Sequence, residues 1–92
     1  MRIPVAVHKD PNSTYGVSVP ALPGCISAGS NLDEALMNVR EAISLHLRGM
    51  AEDGDEIPPP GSIGQYLDDE DYADAICWAI VEVDVPEAAA KG

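Results

Sequence analysis

The sequence predicts an α+β domain in which a three-stranded antiparallel meander is followed by a long helix, a short helix and a further strand, in the order β-β-β-α-α-β. Three observations carry that reading. Apolar residues alternate with others at Ile3, Val5 and Val7 and again at Tyr15, Val17 and Val19, the period of half-buried strands. Leu32, Leu36, Val39, Ile43, Leu47 and Met50 recur at helical spacing, which predicts one apolar stripe along a helix. The run Ile76–Val81 is apolar throughout and then alternates through Glu82-Val83-Asp84-Val85, as expected of a strand that starts central and ends exposed. Such a chain forms a sheet with its helices on one face.

Each element has its own signals. Pro4 puts the first strand at an edge, or its proline at a strand end, because proline donates nothing to a ladder. Lys9 to Thr14 is a polar turn that joins the first two strands into a hairpin. The segment Pro20-Ala21-Leu22-Pro23-Gly24 is too rich in proline to extend a strand, so a short third strand is expected at Cys25–Ala28, ended by Gly29. Ser30 or Asn31 can cap the long helix, and Asp33 and Glu34 place negative charge where the helix dipole favours it. Gly54 suits the C-terminal cap, and Pro58-Pro59-Pro60 cannot continue a helix. Ser62 starts a short helix through Leu67, ahead of the acidic run Asp68-Asp69-Glu70-Asp71.

At 92 residues the chain makes one domain, expected over residues 1–86, with 87–92 a flexible tail or the start of a linker. With no phenylalanine, the core must be mostly aliphatic. The net charge of -11 lies entirely after Met50, where Lys91 is the only cation. Such a surface repels phosphate backbones and attracts basic partners; an acidic face kept for solubility is the plainer alternative. Cys25 and Cys77 suit reduced core thiols better than a disulfide framework or a zinc site. The longest apolar run is far short of a membrane span, so a soluble cytoplasmic protein is expected.

No chemistry-bearing motif stands out, and neither a catalytic residue, a cofactor nor a metal is expected. Ser27, Ser30 and Cys25 have no histidine near them in sequence. His8 and His46 read as surface or partly packed histidines, and Gly24 and Gly29 flank a strand rather than open a helix as a phosphate loop requires. A two-metal nuclease needs converging carboxylates. Asp10, beyond the end of its strand, Glu82 and Asp84, near the exposed end of theirs, and Glu34 and Glu41 on the helix are badly placed for that.

Three stretches together resemble one known family. Tyr15 to Cys25 with Ala28-Gly29, the helix start Asp33-Glu34-Ala35-Leu36 continued by Asn38 to Leu47, and the exit Glu52-Asp53-Gly54-Asp55-Glu56-Ile57-Pro58 are similar to the hairpin, helix and helix exit of HicB antitoxins. The likeness spans Ile3 to Pro60, and more loosely Trp78 to Val85. It implies a partial ribonuclease-H-like fold without that enzyme's active site. It also implies binding to a small basic toxin, HicA, that cleaves messenger RNA, with the antitoxin covering the toxin's RNA-binding surface. The acidic second half agrees with that, since an inhibitor of an RNA-binding surface should carry the opposite sign. The toxin-facing candidates are Glu52, Asp53, Asp55 and Glu56, then Asp68, Asp69, Glu70 and Asp71.

Family members usually carry a DNA-binding segment after the last strand. Here Pro86 and the small residues to Gly92 follow instead, and no DNA binding by these 92 residues is expected. Exposed strand edges predict pairing with a second copy, as a homodimer or a higher homo-oligomer. An orphan relative that binds some other protein, and a metal-dependent nuclease on the same fold, are the competing readings.

Overall fold

The computed structural model describes residues 1–12 and 14–86; the tail predicted at 87–92 lies outside them. Strands β1 (Arg2–Lys9), β2 (Tyr15–Ser18) and β3 (Ile26–Gly29) precede helix α1 (Leu32–Glu52). A single-turn helix α2 (Ile63–Tyr66), a 3₁₀ turn (Glu70–Tyr72) and strand β4 (Cys77–Glu82) follow. The sheet is antiparallel throughout, in the order β3-β2-β1-β4. The meander and the order of elements are those expected.

Strand β1 lies between β2 and β4, and Pro4 is neither on an edge strand nor at the strand end as expected, but inside β1 where only β4 pairs with it. Mutual hydrogen bonds between Met1 and Val83 (2.9 and 2.7 Å) fix the alternation, which turns the nitrogen of Pro4 away from β4. It faces the β2 side at a level beyond the last registered pair, Ala6 with Ser18. No ladder bond is lost there. Continued two residues further, that register would bring Pro4 to Pro20, and the ladder stops short of both.

The core is aliphatic: Ile3, Val5 and Val7 of β1 and Val17 of β2 pack with Ala35, Val39, Ile43 and Leu47 of α1. Ala35 takes the innermost place that the sequence assigns to Leu32 and Leu36; Leu32 is exposed. The rotation follows from close approach at the helix start. A Cβ on Gly29 would stand 2.4 Å from Ala35 N, so small residues on both elements let α1 settle onto β3. Leu22 is buried in the same core by the proline-rich loop, a pair of tight turns closed by Leu22 N donating to Val19 O (3.0 Å) and Cys25 N to Leu22 O (2.9 Å).

Asn31 caps α1, its Oδ1 accepting from Glu34 N at 2.8 Å, while Glu34 Oε1 accepts from Ser30 N at 2.9 Å. At the other end Gly54, with φ of 75°, lets Gly54 N donate to Ala51 O and Asp55 N to Met50 O. That pair of bonds satisfies carbonyls the helix leaves free.

Two further expectations are corrected. Strand β4 is an edge strand at its start as well as at its end, not central. Its apolar run has partners on both faces for another reason: Cys77 and Ala79 pack against the core, while Trp78, opposite Ala6, turns the other way onto Tyr66 and Tyr72. The helices therefore do not share one face. The α2 segment covers part of the side opposite α1.

Candidate functional site

Alternation along the strands gives the sheet a second face made of Pro4, Ala6 and His8 of β1, Gly16 and Ser18 of β2, Ile26 and Ala28 of β3, and Trp78 and Ile80 of β4. Tyr66 stacks on Trp78 with ring centroids 5.9 Å apart, and Tyr72 meets Trp78 edge-on at 5.7 Å. These rings cover the β4 side. The β2–β3 side is open, and there a groove of about 450 Å³ runs over Gly16, Ser18 and Ala28, between exposed Ile26 and the carboxylates of Asp10, Asp71 and Asp74. The small side chains give it depth, and the carboxylates make one rim negative.

Local structure sets that rim. Asp10 N donates to Thr14 O at 2.9 Å, so the turn leaves Asp10 just past the end of β1. Asp69 Oδ1 accepts from Asp71 N at 2.9 Å and caps the 3₁₀ turn, which fixes Asp71. Burial raises the Tyr72 hydroxyl pKa above its ordinary value, with Asp69, Asp71 and Tyr66 adding to the shift, so Tyr72 stays protonated.

In the groove His8 Nε2 lies 3.3 Å from Ser18 Oγ, and His8 Nδ1 lies 3.1 Å from Asp74 Oδ1 without the alignment of a directed hydrogen bond. The order serine, histidine, aspartate is that of an acyl-transfer relay. Such a relay also needs amide donors aimed at an oxyanion. Here Val19 N bonds Cys25 O, and the amides of Val17 and Ser18 belong to the ladders with β3 and β1. His8, Ser18 and the rim carboxylates are groups that can hold a cationic or hydrogen-bonding side chain.

The eight acidic candidates divide. Asp71 lines the groove; Asp68, Asp69 and Glu70 lead into it but do not line it. Glu52, Asp53, Asp55 and Glu56 are exposed at the end of α1, away from it. The carboxylates named for a nuclease do not converge. Glu82 stands level with Arg2, so about 25 Å of strand separates it from Asp10, and Asp84 lies further on. Among the described residues no group of three or more His, Cys, Asp or Glu side chains is placed to hold a metal ion.

Sequence reasoning missed His8, Ser18 and Asp74. The hairpin register carried the first two, since a turn at Lys9–Thr14 sets His8 opposite Gly16, two residues from Ser18 on the same sheet face. Asp74 had no such signal, because its position depends on how the chain returns across the sheet after the three prolines.

The sequence model described as HicB_like antitoxin of bacterial toxin-antitoxin system matches residues 3–92. The chain belongs to this HicB-like antitoxin family. Its fold is similar to the crystal structure of the N-terminal domain of Burkholderia pseudomallei antitoxin HicB, with a TM-score of 0.82 and 41% identity over 92% of this chain and 100% of that one. A chain of a HicA3 and HicB3 toxin-antitoxin complex matches with a TM-score of 0.76 and 26% identity, over 91% of this chain and 99% of that one. An uncharacterized 14.9 kDa protein of Haemophilus phage HP1 is 44% identical over 91 residues, 99% of this chain and 67% of the phage protein. The HicB-like fold thus accounts for the antiparallel sheet and long helix. No helix among the described residues is long and apolar enough to cross a membrane.

Proposed function

We propose that this HicB-like chain neutralises a small, basic, HicA-like toxin that cleaves messenger RNA, acting in the cytoplasm by covering the toxin's RNA-binding surface. The observation that carries the reading is the groove on the second sheet face, whose rim holds Asp10, Asp71 and Asp74 and whose floor is small enough to admit a long side chain. An RNA-binding surface is rich in lysine and arginine, and such side chains suit a groove with carboxylates on one side and an apolar residue, Ile26, on the other. The acidic run Asp68, Asp69, Glu70 and Asp71 leads the partner in. Glu52, Asp53, Asp55 and Glu56 add a second negative patch at the end of α1 that steers encounter from further away.

Co-expression tests this. A small basic protein encoded beside this gene should arrest growth when expressed alone, cleave messenger RNA, and lose both effects when this chain is co-expressed and co-purifies with it. Rescue without co-purification would rule out neutralisation by contact. Capture of a different, non-toxic protein would make the chain an orphan member of its family.

A further inference from the structure

We propose that His8 is a proton switch in the groove: protonating its ring places positive charge among the carboxylates that receive a basic partner, so acidification releases that partner. The inference rests on the groove being the binding site and adds how that site is regulated. Its basis is position. The His8 side chain is 18% exposed and lies between Ser18 Oγ, 3.3 Å from Nε2, and Asp74 Oδ1, 3.1 Å from Nδ1. The Asp74 side chain is 79% exposed, so its carboxylate is open to a second cation as well as to the ring.

Both charge states fit the same place. In the neutral ring Nδ1 can carry its hydrogen toward Asp74 while Nε2 accepts from the Ser18 hydroxyl; in the cation both nitrogens donate and Ser18 Oγ accepts. Only the hydroxyl has to rotate. Charge therefore changes inside the groove while the sheet around it stays as it is.

The groups that face the ring decide the sign. Asp10 follows on the same strand, and Asp71 and Asp74 come from the segment before β4. Strands β2 and β3 present no charged group there. The β4 side carries Trp78 and, edge-on to it, Tyr72, whose hydroxyl keeps its proton. Helix α1 packs on the opposite face, and Lys9 alternates to that face, where it stands over the Tyr15 ring at 5.1 Å. Among the described residues, three carboxylates and no lysine or arginine line the groove beside His8. A proton on His8 and a partner's guanidinium or ammonium draw on the same carboxylates and repel each other. Linkage makes this reciprocal: a bound cation expels the proton, and the proton weakens the bound cation by the same factor. Histidine is the side-chain type that ordinarily changes charge between about pH 5 and 8, which sets the window.

Calorimetry with a hexa-arginine peptide tests the switch. The peptide is acetylated and amidated so that it carries no group that titrates in this window. At constant ionic strength its affinity for the native chain should fall by about tenfold between about pH 8 and about pH 5.5. At about pH 6.5 binding should release protons, read from the heats in two buffers of different ionisation enthalpy. His8→Gln should abolish both the release and the pH dependence. His46→Gln, on α1 and away from the groove, should keep both. An affinity independent of pH in the native chain, or a dependence that His8→Gln keeps and His46→Gln loses, would overturn the proposal, as would a native chain that does not bind the peptide at about pH 8. If circular dichroism shows that His8→Gln does not fold, His46→Gln decides alone, because the chain has two histidines and His8 is then the one left to release a proton. Neutralisation of the toxin on co-expression, with no proton release here, would leave the function standing and remove the switch.

Discussion

Tyr66 lies flat against Trp78, with ring planes 6° apart, and this pair joins the loop after the three prolines to an edge strand that α1 barely reaches. Tyr66 is held in turn by the bend at Gly61, where a Cβ would stand 2.7 Å from its hydroxyl. Removing the indole should loosen β4 and the groove rim together. We expect Trp78→Ala to cost about 2–3 kcal/mol, less than a fully buried tryptophan because the ring is half-exposed. Urea unfolding followed by circular dichroism checks it.

Gly29→Ala should destabilise by about 2 kcal/mol through overpacking, since its Cβ would meet the backbone of α1 at Ala35. Gly16→Ala, with no atom within 4 Å of the added carbon, should be nearly neutral to stability. Equal effects at the two positions would mean that α1 does not approach β3 as described.

If the groove receives the toxin, Asp10, Asp71 and Asp74 changed together to Asn should slow association at low salt by about tenfold or more. Neutralising Glu52, Asp53, Asp55 and Glu56 should change the rate less and chiefly its salt dependence. Stopped-flow binding separates the two, and identical rates for both variants and the native chain would leave the acids to solubility alone.

Alkaline pH should destabilise the fold. Burial raises the pKa of the Cys25 thiol and, with help from nearby charges, that of the Tyr72 hydroxyl. In each case the folded state holds its proton after the unfolded chain has released it, so stability is undiminished below the ordinary values of 9.0 and 10.0 and falls as pH rises beyond them. Melting curves from pH 8 to 11 check the sign. Cys25, buried and protonated, should also react with thiol reagents only on unfolding, far more slowly than half-buried Cys77.

These 92 residues should not retard DNA from their own promoter at physiological salt. Arg2 and Lys9 stand at the two ends of β1, and Arg40 and Arg48 of α1 lie near Glu41, Glu82 and Asp84, so among the described residues no basic patch offsets the repulsion of phosphates. Specific retardation in a mobility-shift assay would refute this.

The meander, the long helix and its caps were legible because their signals are local: alternation, a polar turn, Asn31 before Leu32, Gly54 after the last turn. The side on which β4 joins was not. Its apolar run fits a central strand, and the Tyr66 and Tyr72 rings, arriving from a distant loop, explain why Trp78 on the outer face of an edge strand is partly covered. The same return path places Asp71 and Asp74 beside His8, so the groove was half visible: its floor follows from the hairpin register, while two of its three rim carboxylates depend on a crossing that no local pattern encodes.

The position of β4 also has a kinetic consequence. Val7 and Cys77 are register partners separated by most of the chain, whereas β1, β2, β3 and α1 follow one another closely. Hairpin and helix contacts can form early, but one flank of β1 waits for the last strand, and long-range pairing of this kind is slow and exposes an unpaired edge meanwhile. On the ribosome that flank stays open until Cys77–Glu82 has emerged. At high concentration the vacancy can be filled by the last strand of a neighbouring chain, so refolding from denaturant should yield strand-exchanged dimers in a proportion that rises with protein concentration.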